Sequence, residues 1–208
     1  MKVVLLESHY IPSIAYFAAL LSGDEALLET HENFQKQTYR NRCYINTSQG
    51  IIPLIVPLAN ASGKTLITDI KIDYSQRWQN NHWRAIQSSY GKAPFFEYYA
   101  DDLRAVLFNN FARLFDLNSA LLTLCLRWLK CKITVRGTSV YEKSPLQPIY
   151  DLRSTITPKN STRLHEFYDP AVYHQVFGNK FVENLSLIDL IFCEGPGALG
   201  IVQASTRK

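Results

Sequence analysis

One stretch of this chain concentrates the side chains that bind anions. Lys36, Arg40 and Arg42 lie within a few positions of one another, interleaved with Tyr39, Asn41 and Tyr44, and no acidic residue falls between Gln35 and Ile45. A guanidinium offers a planar fork that fits phosphate or carboxylate at two points, and an ammonium adds a point charge. The tyrosines present flat faces with a hydroxyl, suited to a base or a sugar. His9 and His82 are the candidates for proton transfer, because an imidazole titrates near neutrality. Chemistry of this kind needs an anchored substrate and a base beside it.

The elements that must position these groups read as follows. Val3 to Glu7 is a buried strand, and Pro12-Ser13 opens a helix through Leu21 that Gly23 stops. In α/β folds ligands bind where a strand ends, so Glu7, His9, Tyr10 and Tyr16 join the candidates. Ala26 to Glu29 reads as a second strand. Tyr39, Cys43 and Ile45 alternate with Arg40, Arg42 and Tyr44, an alternation that places the two arginines and Tyr44 on one strand face and Cys43 in the core. An exposed basic edge that blocks aggregation is the structural alternative for that face. A turn at Asn46 to Gly50 makes a hairpin with Ile51 to Leu58, and Leu66 to Ile72 alternates like a half-buried strand.

The second half is helical: Arg77 to Tyr90, a helix capped by Asp101 or Asp102, another capped by Asn118, and Ser186 to Glu194 before Gly195-Pro196-Gly197. Ile133 to Val135 reads as a further strand. Ser139 to Thr162, with Pro145, Pro148 and Pro158, reads as a long irregular segment, either a mobile loop or a strap over a site. Ser186 and Asp189 fit a capping box. The fold class is therefore α/β: a single domain over residues 1–208, with a mixed β-sheet mostly from the N-terminal half, helices packed on it, and a helical C-terminal half.

Composition removes several classes. A net charge of +4 on 208 residues is too small for a nucleic-acid surface, and Asp69, Asp73 and Glu97 interrupt any basic one. Gly63-Lys64-Thr65 lacks the upstream glycine of a phosphate loop, since Leu58 stands there. No Gly-x-Ser-x-Gly elbow appears, and His165 and His174 do not stand at a zinc spacing. Cys43, Cys125, Cys131 and Cys193 form no C-x-x-C pair. No signal peptide is read after Met1, and no apolar run reaches the length of a membrane span. Together these read as a cytoplasmic protein with reduced thiols. Cofactor, donor, acceptor and oligomeric state carry no sequence signature.

The run Lys36-Gln37-Thr38-Tyr39-Arg40-Asn41-Arg42-Cys43 resembles the K-x-x-x-R-N-R signature of the WbqC-like protein family. Pro12 with Tyr16-Phe17, Leu54 to Pro57, Trp78 with His82-Trp83, Tyr90 with Ala93 to Phe96, and Leu185 to Leu190 with Gly195-Pro196 agree in order over nearly the whole chain. Glu7-Ser8-His9 departs from the commoner Gln-Pro of that family. The resemblance implies a role in bacterial surface polysaccharide (O-antigen type) biosynthesis, as an acyl or aminoacyl transferase on a nucleotide-linked amino sugar. The alternative is a non-catalytic binding or scaffold protein of that pathway. On the transferase reading, Lys36, Arg40 and Arg42 hold the diphosphate and Tyr10, Tyr39 or Tyr44 stacks on base or sugar. His9 or His82 is the base.

Overall fold

Val3, Val4, Leu5 and Leu6 form β1 (Val3–Leu6), an apolar run with no polar face, as a strand covered on both sides requires. In the computed structural model, which describes residues 2–59, 61–159, 162–178 and 180–207, β1 lies inside a parallel sheet. A parallel neighbour needs a crossover, and α1 (Ile14–Leu21) supplies it on the way to β2 (Glu25–Leu28). Ile14 through Leu20 are all buried, so α1 is a core helix. Its first free N–H groups are taken from outside: Ile14 N–H donates to the Leu185 carbonyl, and Ala15 N–H to Asn184 Oδ1.

The chain then leaves the sheet. β3 (Arg42–Thr47) and β4 (Gly50–Ile55) form an antiparallel hairpin, registered from Arg42 opposite Ile55 to Thr47 opposite Gly50. Gly50 closes the turn at φ +104°, a conformation that glycine adopts without steric cost. β5 (Leu58–Ala59) and β6 (Lys71–Ile72) make a small second pair. Three helices follow: α2 (Trp78–Tyr90), α3 (Phe96–Leu107) and α4 (Leu114–Trp128). The chain returns to the sheet with β7 (Thr134–Gly137) and β8 (Ile149–Asp151), giving the order β7-β2-β1-β8, all parallel. It closes with α5 (Leu187–Glu194) and α6 (Ala198–Ala204). Between these two helices Gly195 sits at φ +52°, where a β-carbon would also strike the Phe95 ring.

The α/β class expected from the sequence is the observed one. Several details differ. Two of the four sheet strands come from the second half of the chain, because β8 is three residues long and hidden in the irregular segment Ser139–Thr162; residues 160 and 161 of that segment lie outside the described ones. Leu66–Ile72 is not one strand. Ile67 and Ile70 are the buried pair, three apart, and the backbone forms a 3-10 turn over Ile67–Asp69 before β6. Asp101 and Asp102 cap nothing, since α3 begins at Phe96 and buries Phe96, Ala100, Leu103 and Leu107. Asn118 also lies inside its helix, not at the start. The capping box at Ser186 does not form: the Ser186 hydroxyl donates to the Ile11 carbonyl, and Asp189 faces two tyrosines instead.

Helices α5 and α6, with the turn between them, make an apolar helical run of 18 residues, Leu187–Ala204. More than half of it (56%) is buried in the protein's own interior, including all of Leu187 to Cys193, so its apolar faces serve the core.

Candidate functional site

All four strands of the sheet point the same way, so their carboxyl ends gather four connecting segments at one edge. Glu7-Ser8-His9 follows β1, Glu29 to Glu32 follows β2, Thr138 follows β7, and Arg153-Ser154 follows β8. A partly buried ionic network fills this edge. Glu29 Oε2 accepts from Arg153 Nη1 at 2.6 Å, and Arg153 also holds Asp151 through Nη2 at 2.7 Å. Glu29 Oε1 accepts the Thr138 hydroxyl and the His31 N–H, both at 2.8 Å. The strand ends are thus tied to one another through side chains.

Beside this lies a second cluster built on Glu7. Its Oε2 accepts the Ser154 N–H (2.9 Å), and its Oε1 stands 3.2 Å from His9 Nε2 and 3.7 Å from Arg40 Nη1. Arg40 itself is gripped from its other side by Glu32, with Nε–Oε1 at 2.7 Å and Nη2–Oε2 at 2.5 Å. Burial alone would push the Glu7 carboxyl up; the bond from His9 and the charge of Arg40 outweigh it and hold the pKa at about 2. Glu7 is therefore a carboxylate, and His9 Nε2 must carry the proton that it accepts. His9 Nδ1 is left as a buried lone pair without a partner, as is the N–H of Arg40 Nη1 that could serve a further acceptor. Desolvation lowers the His9 pKa despite the opposing pull of Glu7, which keeps the ring neutral, the form a general base requires. Tyr16 and Tyr39 flank the ring, with centroids at 4.8 and 5.3 Å, and the Tyr16 hydroxyl donates to the Glu7 carbonyl.

The sequence placed Arg40 on an exposed face with Arg42 and Tyr44. It is wholly buried instead, because β3 starts only at Arg42 and the preceding segment turns the Arg40 side chain inward to Glu32 and Glu7. The remaining residues of the basic stretch line three clefts. The first, about 490 Å³, is bordered by Glu32, Gln35, Lys36 and Tyr141 and abuts the Glu32–Arg40 pair. The second, about 520 Å³, holds Lys36, Asn41 and Arg42 against an apolar wall of Phe34, Ile55, Val56 and Pro57. The third, about 640 Å³, is lined by Tyr39 and Tyr44 together with Lys159, His165 and Glu183. Lys36 joins the first two; Tyr39 joins the third to His9.

His82 and Tyr10 are elsewhere. The Tyr10 hydroxyl is 2.9 Å from His82 Nδ1, and His82 Nε2 is 3.2 Å from the Ile55 carbonyl. A carbonyl only accepts, so Nε2 carries the proton, Nδ1 accepts from Tyr10, and neither nitrogen is left over. His82 thus ties α2 to β4 and to Tyr10 in the segment after β1. Burial lowers the His82 pKa to about 4.

Glu29, Glu32, Arg153 and Asn118 were not among the sequence candidates. The first two follow β2 as Glu7 and His9 follow β1, so the same strand-end rule pointed to them. Asn118 had no local signal: its amide donates to Ser8 Oγ (2.9 Å) and to the Arg40 carbonyl (2.8 Å), partners 110 and 78 residues away in sequence. Among the described residues no group of three or more His, Cys, Asp or Glu side chains is arranged to hold a metal ion.

Asp189 was assigned to a cap and is instead a buried acceptor for the Tyr90 and Tyr173 hydroxyls, both at 2.9 Å. Desolvation raises its pKa to about 6, against the two hydrogen bonds. Because the folded pKa is raised above the ordinary 3.8, the fold gains stability as pH falls through 6 toward 3.8 and loses it as pH rises through 6. His82 runs the other way. Its folded pKa is lowered from 6.5, so the unfolded chain takes the proton first and the fold loses stability as pH falls from 6.5 toward 4. The two contributions nearly cancel. Asp189→Asn is expected to unmask the histidine: relative to the parent, the variant loses on the order of 2 kcal/mol between pH 7.5 and pH 4.5. Urea denaturation at the two pH values measures this, and equal pH dependence in both proteins would contradict it.

A model described as the WbqC-like protein family matches residues 7–163, a span that includes the whole basic stretch and the Glu7–His9 segment. A curated relative, "Uncharacterized protein Rv1507c" of Mycobacterium tuberculosis (strain ATCC 25618 / H37Rv), is 34% identical over 107 residues. That alignment covers 50% of this chain and 46% of the relative, so the match spans a little under half of the relative's length. No solved structure matches.

Proposed function

The chain belongs to the WbqC-like protein family, and on that premise we propose that it acts in bacterial surface polysaccharide (O-antigen type) biosynthesis, transferring an acyl or aminoacyl group to a nucleotide-linked amino sugar. The observation that carries the reading is the Glu7–His9 dyad at the carboxyl end of the parallel sheet, with His9 Nδ1 free. Glu7 fixes the tautomer, and the Arg40–Glu32 pair fixes Glu7. The nucleotide lies along Lys36, Asn41 and Arg42, and the sugar lies in the first cleft, against Glu32 and Tyr141. Tyr39 lies against His9 and borders the third cleft, from which an acyl thioester approaches once Tyr39 moves aside. The sugar amine adds to the acyl carbonyl. His9 Nδ1 takes the amine proton and returns it to the leaving thiolate as the C–S bond breaks. This reading places the protein in the cytoplasm, where activated sugars are assembled.

The complete enclosure of the His9 ring favours a second reading, a binding protein of the same pathway without chemistry. One experiment separates the two. The purified protein is screened by thermal shift against nucleotide-linked amino sugars, acyl-CoAs and free nucleotides, and any sugar that raises Tm is incubated with each thioester and weighed by mass spectrometry. A Tm rise with an acylated product supports the transferase. A Tm rise with no product supports the binding protein. The absence of any rise at millimolar ligand and low salt removes the nucleotide-sugar from both.

A further inference from the structure

The second cleft carries two polar atoms that the fold leaves unsatisfied. Asn41 is only 8% exposed. Its side-chain N–H donates to the Val56 carbonyl at 3.0 Å, which identifies Oδ1 as the remaining acceptor, and Oδ1 has no partner. The main chain repeats the tie, with the Val56 N–H donating to the Asn41 backbone carbonyl at 2.9 Å, so the residue is bound to Val56 through both side chain and main chain. The next residue, Arg42, has a buried Nε–H without an acceptor. A buried donor or acceptor left unpaired is costly, and native folds keep few of them. Here one of each sits on consecutive residues that line the same cleft, beside the apolar wall of Phe34, Ile55 and Pro57.

An acceptor and a donor on consecutive residues that line one cleft, next to an apolar wall, suit a flat heterocycle whose edge carries a donor and an acceptor. We propose that the second cleft is a nucleobase site. Asn41 Oδ1 accepts an N–H from the base edge, Arg42 Nε donates to the neighbouring exocyclic carbonyl oxygen or ring nitrogen, and the ring lies on the apolar wall. The phosphates then run past Lys36, which borders both this cleft and the first one. The inference rests on the nucleotide-linked reading above and specifies how its nucleotide is recognised: through the base edge, not by charge alone. It gives Asn41 and Arg42 a different task from Arg40, which is committed to Glu7 and Glu32.

The test is calorimetric titration of the intact protein with inorganic pyrophosphate and with the diphosphates of uridine, cytidine, adenosine and guanosine. At least one nucleoside diphosphate is expected to bind roughly tenfold or more tighter than pyrophosphate. Methylating the edge nitrogen of that base should remove the advantage. Arg42→Lys keeps the charge and loses the Nε–H, so it should shrink the advantage of the nucleoside diphosphate over pyrophosphate, each measured on the variant. The methylated ligand tests the site without altering the protein. Nucleoside diphosphates that bind no tighter than pyrophosphate would overturn the base site and leave a phosphate-linked, non-nucleotide sugar as the substrate. A base advantage without acyl transfer would keep the base site and end the transferase reading.

Discussion

Arg40→Met is expected to lower the unfolding free energy by about 3–5 kcal/mol, because it strips the cation from a buried cluster and leaves its carboxylates uncompensated. The guanidinium has no exposed surface and is the positive charge between Glu32 and Glu7. For a chain of this size the loss corresponds to a fall in Tm of roughly 10 °C. Acid behaviour changes as well. Glu7 has a folded pKa held at about 2, below the ordinary 4.5, so its contribution is present above pH 4.5 and is lost as pH falls toward 2. Without Arg40 that depressed pKa rises, and the acid unfolding midpoint moves upward. Thermal and acid denaturation of the variant, followed by circular dichroism, measure both effects. A variant that melts with the parent would mean that Arg40 stands at an open anion site and not inside the fold.

On the proposed transferase reading, His9→Gln is expected to reduce acyl transfer about 10²- to 10⁴-fold, the usual contribution of a positioned general base, while nucleotide binding stays within a few fold. Glutamine keeps an N–H to offer Glu7 and removes the Nδ1 lone pair, so the defect should appear in kcat more than in KM. In the parent, kcat/KM should fall on the acid side with a midpoint below the ordinary 6.5 of histidine, since burial lowers the His9 pKa. The acid limb should vanish from the residual activity of the variant. His82→Phe provides the contrast. It breaks the link from α2 to the hairpin and costs stability, but removes no free base. Equal transfer by His9→Gln and the parent would assign the base elsewhere.

Local pattern determined a good deal of this protein. The apolar run of β1, the Pro12-Ser13 entry to α1, the Gly50 hairpin and the break at Gly195-Pro196 are each written in a few adjacent residues, and each stands where the pattern placed it. The strand-end rule also marked Glu7 and His9 as candidates, and the two lie buried together just past β1. The inward side of Cys43 was also legible, because strand alternation is local.

What a residue touches across the chain was decided only by the tertiary structure. Lys36, Arg40 and Arg42 look equivalent as charges in sequence, yet Arg40 faces inward to Glu7 and Glu32 while Lys36 and Arg42 border the second cleft. Asn118 and Asp189 carry the residue types of caps, and long-range partners at Ser8, Arg40, Tyr90 and Tyr173 gave them other work. His9 and His82 are the same side chain with opposite outcomes: one ring nitrogen of His9 is free, and none of His82 is. The physical reason is common to all four cases. Secondary structure follows from neighbours in the chain, whereas charge state and free valence follow from burial and from partners that only the folded sheet brings together.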